Sequence, residues 1–61
     1  MYFDAVLREN GIDVVFNGTP QEVVEFLKSQ KEEDRQNWWV CRGESLKYYT
    51  PNDYFKWMRV E

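Results

Sequence analysis

The fold of this chain is decided by the stretch FDAVLRENGIDVVFN, residues 3–17, which combines a turn signal with apolar alternation on both sides of it. The pair Asn10-Gly11 favours a two-residue type I′ turn, in which both central residues have positive φ. Such a turn places Arg8 directly opposite Asp13, where their opposite charges attract across the strands. The stretch therefore predicts a β-hairpin with one defined register.

Alternation along this hairpin divides its side chains between two faces. The predicted register pairs Val6 with Val15 on the face that also carries Arg8 and Asp13. The opposite face contains the apolar residues Phe3, Ala5, Leu7, Ile12, Val14 and Phe16. We expect the apolar face to point into the core and the Val6 face to point outward.

The next segment, GTPQEVVEFLKSQ (residues 18–30), predicts a helix from Pro20 to Gln30. Thr19 suits the N-cap, and Glu22 three residues later completes a capping box. An apolar stripe at helical spacing should cover one face of the sheet, with Val23 and Leu27 the most buried positions. The following run, KEEDRQN (residues 31–37), is typical of a helix end and a solvated loop, or of an acidic recognition patch.

The second hairpin is predicted by WWVCRGESLKYY, residues 38–49. Gly43-Glu44 suits a two-residue type II′ turn, which wants Gly first. One resulting face is apolar apart from a phenol and contains Trp39, Cys41, Leu46 and Tyr48. The other is amphipathic and contains Trp38, Val40, Arg42, Lys47 and Tyr49. We expect Trp39 in the core and Trp38 on the outer face.

The C-terminal segment TPNDYFKWMRVE (residues 50–61) fits two structures. Thr50-Pro51 with Asp53 repeats a helix-start pattern, whereas Phe55 and Trp57 alternate with Lys56 and Met58 as in an edge strand. The two possibilities stay open at this level.

The elements assemble into a single α+β domain over residues 1–61. We expect two β-hairpins forming one small antiparallel or mixed sheet with one helix on one face, in the order ββαββ plus the tail. A first strand lying between the second and the third would allow the helix to be a right-handed crossover.

The stretch VVFNGTPQEVVEFLKS, residues 14–29, resembles an element frequent in short phage and prophage proteins. The resemblance implies a bacterial cytosol and a small accessory protein that binds a host or phage protein. The resemblance assigns no functional residue to this chain.

Composition limits the classes of function. The 61 residues include eleven Asp and Glu against eight Lys and Arg, and the net charge of −3 disfavours nucleic acid as a partner. The chain has no histidine, which is the commonest general base near neutral pH and the commonest metal ligand. Cys41 therefore has no histidine to activate it. We expect no enzyme, no catalytic or metal-binding residues and no cofactor.

Three further features predict a cytoplasmic location. Cys41 is the one cysteine and cannot form a disulfide within the chain. Met1–Asn10 lacks a signal-peptide pattern, and the apolar runs are too short to cross a membrane.

The outer sheet face is the candidate site, because Trp, Tyr and Arg are enriched in the centres of protein interfaces. The predicted partner-binding residues are Tyr2, Val6, Val15, Trp38, Val40, Arg42, Lys47 and Tyr49. We expect a non-enzymatic protein-binding or accessory module that binds a protein partner or its own copy, with no membrane or small-molecule substrate.

Three alternatives remain. The C-terminal segment could fold over the outer face and bury it. The same aromatic residues could stack on single-stranded nucleic acid, with Arg42 and Lys47 contacting phosphates. An acidic inhibitor that mimics nucleic acid would use Glu22, Glu25, Glu32, Glu33 and Asp34.

Overall fold

Four strands form one sheet in the order β2-β1-β3-β4, and every adjacent pair is antiparallel. The computed structural model describes residues 3–43, 45 and 47–60. The elements are β1 Asp4–Arg8, β2 Val14–Gly18, α1 Pro20–Lys28, α2 Glu32–Arg35, β3 Trp38–Cys41, β4 Tyr48–Tyr49 and α3 Pro51–Met58. The α+β class is confirmed, and so is the position of the first strand between the second and the third.

The turn of the first hairpin is longer than predicted. Gly11 has a positive φ of 73° but Asn10 does not, so the turn is not type I′. Asn10 instead accepts hydrogen bonds through Oδ1 from the backbone N–H groups of Ile12 (2.9 Å) and Asp13 (3.1 Å). Arg8 still lies opposite Asp13, because its backbone N–H donates to the Asp13 carbonyl at 2.8 Å. The neighbour relation is confirmed and the turn type is wrong.

A β-bulge shifts the register of the first hairpin beyond the residue pair nearest the turn. Leu7 pairs with Val14 as predicted, but Val6 pairs with Phe16 instead of Val15. An extra residue in one strand moves each later side chain to the opposite face. Phe16 therefore shares the face of Val6, which contradicts the predicted register.

Helix α1 follows from its capping box. The Glu22 backbone N–H donates to Thr19 Oγ1 at 3.3 Å, and the Thr19 N–H donates to Glu22 Oε1 at 2.9 Å. These two bonds satisfy N–H groups that a helix start leaves without partners. Val23 and Leu27 are fully buried. The cap and the buried stripe are confirmed, although the helix ends at Lys28 rather than Gln30.

The acidic run forms one helical turn, α2, whose last residue holds the end of α1. Arg35 Nη1 donates to the carbonyl of Leu27 at 2.9 Å and to that of Gln30 at 3.3 Å. A cation at this position satisfies carbonyls that a helix end leaves free. The Arg35 guanidinium also lies 5.6 Å from the centre of the Phe55 ring, so it joins α1 to α3.

The second hairpin is offset by two residues from the predicted pairing, since Cys41 pairs with Tyr48 and Val40 with Tyr49. Gly43 does not have the positive φ of a type II′ turn. A Cβ at Gly43 would collide with the Phe3 carbonyl oxygen, so a close backbone approach explains the glycine. An even offset keeps each side chain on its predicted face. The predictions for Glu44 and Leu46 lie outside the described residues.

The C-terminal segment is a helix. Thr50 caps α3 by accepting a hydrogen bond at Oγ1 from the Asp53 backbone N–H at 3.1 Å. Arg59 is the C-cap of the helix and has a left-handed backbone conformation (φ 57°). The Val60 N–H donates a hydrogen bond to the Phe55 carbonyl at 2.9 Å. Left-handed C-terminal caps of this kind satisfy free carbonyls at a helix end.

Both long helices pack on the same face of the sheet, and it is the face expected to point outward. The buried cluster comprises Val6, Val23, Val24, Leu27, Val40 and Tyr54. Val6 and Val40 are 0% exposed, so the predicted orientation of the sheet is wrong. Trp38 lies on this covered face and stacks on Phe26 with ring centres 5.7 Å apart.

A carboxylate is buried on the covered face. Asp4 accepts the Gly43 backbone N–H through Oδ1 at 3.1 Å and the Tyr54 hydroxyl through Oδ2 at 2.6 Å. Buried charges are retained where such hydrogen bonds are present. Burial, reinforced by the hydrogen bond to Asp4, raises the pKa of Tyr54 far above its usual range. Tyr54 is therefore a neutral donor that fixes α3 to β1.

Candidate protein-binding face

The sheet face opposite α1 and α3 is the candidate site and is called the open face below. Among the residues that the structure describes, strand alternation and the bulge place on it Phe3, Ala5, Leu7, Val14, Asn17, Trp39, Cys41 and Tyr48. The buried cluster that holds the two helices draws its strand residues from the other face.

Large apolar side chains on the open face reach solvent. The exposed fractions are 53% for Phe3, 59% for Val14, 39% for Trp39 and 49% for Tyr48. Leu7, between its cross-strand neighbours Val14 and Trp39, is only 6% exposed. Large exposed apolar patches on folded proteins are often binding sites, which makes this face the candidate.

The open face lacks charge in its strands. Within β1 to β4, all of which the structure describes, the residues on this face are aliphatic, aromatic, Asn17 or Cys41. Charged residues are depleted in the centres of protein interfaces. An uncharged centre with aromatic residues therefore matches the composition of an interface core.

Tyr48 and Trp39 are held in place across the sheet. Their ring centres are 6.4 Å apart and tilted by 54°. The Tyr48 hydroxyl donates to the Gly11 carbonyl at 2.9 Å, so its side chain joins β4 to the tip of the first hairpin. Its ring lies 3.1 Å from where a Cβ on Gly11 would be. The aromatic surface is therefore ordered before any partner binds.

The predicted partner-binding residues mostly share one face, but α1 and α3 cover that face. Val6 and Val40 are fully buried, and Val15, Trp38 and Tyr49 are half-buried against the core. A partner cannot touch Val6 or Val40 in this fold.

The other predicted partner-binding residues are Arg42, Lys47 and Tyr2. The Arg42 guanidinium lies 3.6 Å from the centre of the Trp57 ring on α3, and Lys47 is exposed. Tyr2 lies outside the described residues. The residues predicted to form the core, such as Trp39 and Val14, form the open face instead. The sequence signal that could have identified this face was the absence of charged residues from its strand positions in both hairpins.

A cleft of about 450 Å³ adjoins the open face at Trp39. Its lining combines the two adjacent tryptophans with polar residues from α2, the loops and the start of α3: Glu9, Glu32, Arg35, Gln36, Asn37, Trp38, Trp39, Thr50, Pro51 and Asn52. The open face therefore has a polar margin on this side, as interface rims do.

In residues 3–43, 45 and 47–60, no group of three or more His, Cys, Asp or Glu side chains could hold a metal ion. Over the same residues, no helix has both the length and the apolar character needed to span a bilayer.

No family model, curated protein or solved structure matches the chain. The resemblance of residues 14–29 to phage proteins stays a prediction.

Proposed function

We propose that the chain is a non-enzymatic protein-binding module that acts through the open face. The single observation that supports this most is an exposed, uncharged sheet face that contains Phe3, Val14, Trp39 and Tyr48. Apolar surface buried on association contributes roughly 25 cal/mol per Å² before the costs of ordering are subtracted. A solvated face of this composition is therefore a favourable place for another protein to bind.

The residue types and their rigidity favour a protein partner. Trp and Tyr are enriched among the residues that dominate binding energy. The hydrogen bond from Tyr48 to Gly11 reduces the entropy that this side chain loses on binding.

Charge argues for protein over nucleic acid. The strands of the open face present no Lys or Arg to contact phosphates, and the whole chain carries −3. We place the module in the cytoplasm, as an accessory protein of the kind that the phage-like element implies.

The proposal is tested by site-specific photo-crosslinking in cells that produce the protein. The photo-reactive residue p-benzoylphenylalanine replaces Val14 on the open face or, as the control, Glu25 on the exposed side of α1. We expect discrete adducts with a polypeptide from position 14 and none from position 25. Equal adducts from both positions, or none from position 14, would contradict the proposal.

A further inference from the structure

We infer that the partner on the open face is a second copy of this chain, docked face to face about a two-fold axis. The inference rests on the proposed function and names the partner of that same surface. In a two-fold interface the same patch meets itself, so the patch must be complementary to its own copy. The open face meets this condition in charge and in layer arrangement.

Charge is the first argument for self-association. The chain carries a net charge of −3, so two copies repel each other overall. The strand residues of the open face are uncharged, and two such faces can therefore meet without like charges opposed across the contact. The surface that complements an apolar, uncharged face is another apolar, uncharged face. A second copy of this chain presents such a face.

Area is the second argument. At about 150–250 Å² for each whole aromatic side chain, the exposed fractions of Phe3, Trp39 and Tyr48 amount to roughly 200–350 Å² per copy. Two copies then bury roughly 400–700 Å² of aromatic surface. The exposed part of Val14 adds to this total, which stays below the roughly 1,000 Å² that stable specific interfaces exceed. We therefore expect a weak, transient dimer, of the kind that interfaces smaller than about 1,200 Å² form.

The layers of the fold give the third argument. Each copy has helices on one face of its sheet and none of its buried cluster on the other. Two sheets stacked about 10 Å apart form a core from their facing side chains. The dimer would then have four layers, with helices outside and two sheets inside, and Leu7 and Trp39 would lie in a central apolar layer.

The test is sedimentation equilibrium of the purified full chain over roughly 1 μM to 1 mM, a range suited to a weak dimer. We expect the average mass to rise from one chain to two. Trp39→Glu introduces a charge at the centre of the contact and should raise the dissociation constant by at least about 30-fold, as loss of a dominant interface residue does. Gln21→Glu adds the same charge on the exposed side of α1 and should leave the constant unchanged.

Each outcome decides the inference. A mass of one chain at every concentration overturns it, and so does equal weakening by Trp39→Glu and Gln21→Glu. If circular dichroism shows that Trp39→Glu is unfolded, Val14→Glu at the exposed edge strand takes its place in the same comparison. A monomer that still crosslinks from position 14 to a different polypeptide overturns self-association but leaves the protein-binding function supported.

Discussion

The two faces of the sheet differ in the charge of their strand residues. The covered face buries the carboxylate of Asp4 beneath α3, where the Tyr54 hydroxyl and the Gly43 N–H satisfy it. The open face presents exposed apolar side chains and no charge in its strands. A charged residue on a strand therefore need not mark the outer side of a small domain, because a few hydrogen bonds can offset the cost of burying a carboxylate.

The largest expected effect is a loss of stability when a side chain of α1 that packs against the covered face is shortened. Leu27→Ala removes a fully buried side chain from α1 and should lower the free energy of unfolding by about 2–5 kcal/mol. Glu25→Ala, on the exposed side of the same helix, should change it by less than about 0.5 kcal/mol. Urea denaturation of the two variants measures the difference. Equal losses would show that the buried side of α1 is misassigned.

A matched pair of valines compares the two faces directly. Val40→Ala removes two methyl groups from the covered face, and at about 0.8 kcal/mol for each buried carbon plus a cavity term it should cost roughly 2 kcal/mol. Val14→Ala makes the same change on the open face, where the side chain is mostly exposed, and should cost less than about 0.5 kcal/mol. Thermal unfolding at low concentration is the measurement. A larger loss from Val14→Ala would reverse the assignment of the faces.

Tyr54→Phe tests the buried hydrogen bond to Asp4. The variant keeps the ring but leaves a buried carboxylate with one donor fewer, so it should destabilise by about 1–3 kcal/mol. Tyr48→Phe removes a hydrogen bond at an exposed site on the open face and should cost about 0.5–1.5 kcal/mol at most. A smaller loss from Tyr54→Phe than from Tyr48→Phe would show that the bond to Asp4 does not hold α3 to the sheet.

The same tyrosine predicts a dependence on alkaline pH. Burial first, and the hydrogen bond to Asp4 second, raise the pKa of Tyr54 in the folded chain, whereas an unfolded tyrosine titrates near about 10. The raised pKa means that the neutral form stabilises the fold fully below about pH 10 and progressively less above it. The stability difference between the wild-type chain and Tyr54→Phe should therefore shrink from pH 9 to pH 11. A constant difference would contradict the raised pKa.

The parts of this fold that follow from neighbouring residues could be predicted from sequence. The cap of α1 needs only Thr19 and Glu22, and the neighbour relation of Arg8 and Asp13 needs only the loop between them. The longer loop could not be predicted, because the Asn10 side chain stabilises it in place of the two-residue turn that Asn-Gly commonly forms. The bulge at Val15 has no signal in the neighbouring residues either, since the loop leaves the pair Leu7 and Val14 in its predicted register.

The orientation of the sheet depends on contacts between distant residues. Alternation separates the side chains of Val6 from those of Leu7, but both faces are apolar enough to be a core. Helix α3 packs on the face of Val6, where the Tyr54 hydroxyl reaches Asp4, 50 positions away in sequence. The helix of residues 51–58 also depends on that burial, since aromatic alternation alone suits a strand equally well.

If the open face is solvated in a single copy and covered in a dimer, the exposure of its aromatic side chains falls as the protein concentration rises. Hydroxyl-radical footprinting read by mass spectrometry measures this exposure residue by residue. Tyr48 and Tyr54 have the same intrinsic reactivity, yet Tyr48 is half-exposed and Tyr54 is fully buried. At low concentration we predict rapid oxidation of Tyr48 and Trp39 and protection of Tyr54, with Tyr48 and Trp39 becoming protected as concentration rises. Oxidation of Tyr54 ahead of Tyr48 would contradict the assignment of the faces, and concentration-independent oxidation of Trp39 would contradict the dimer.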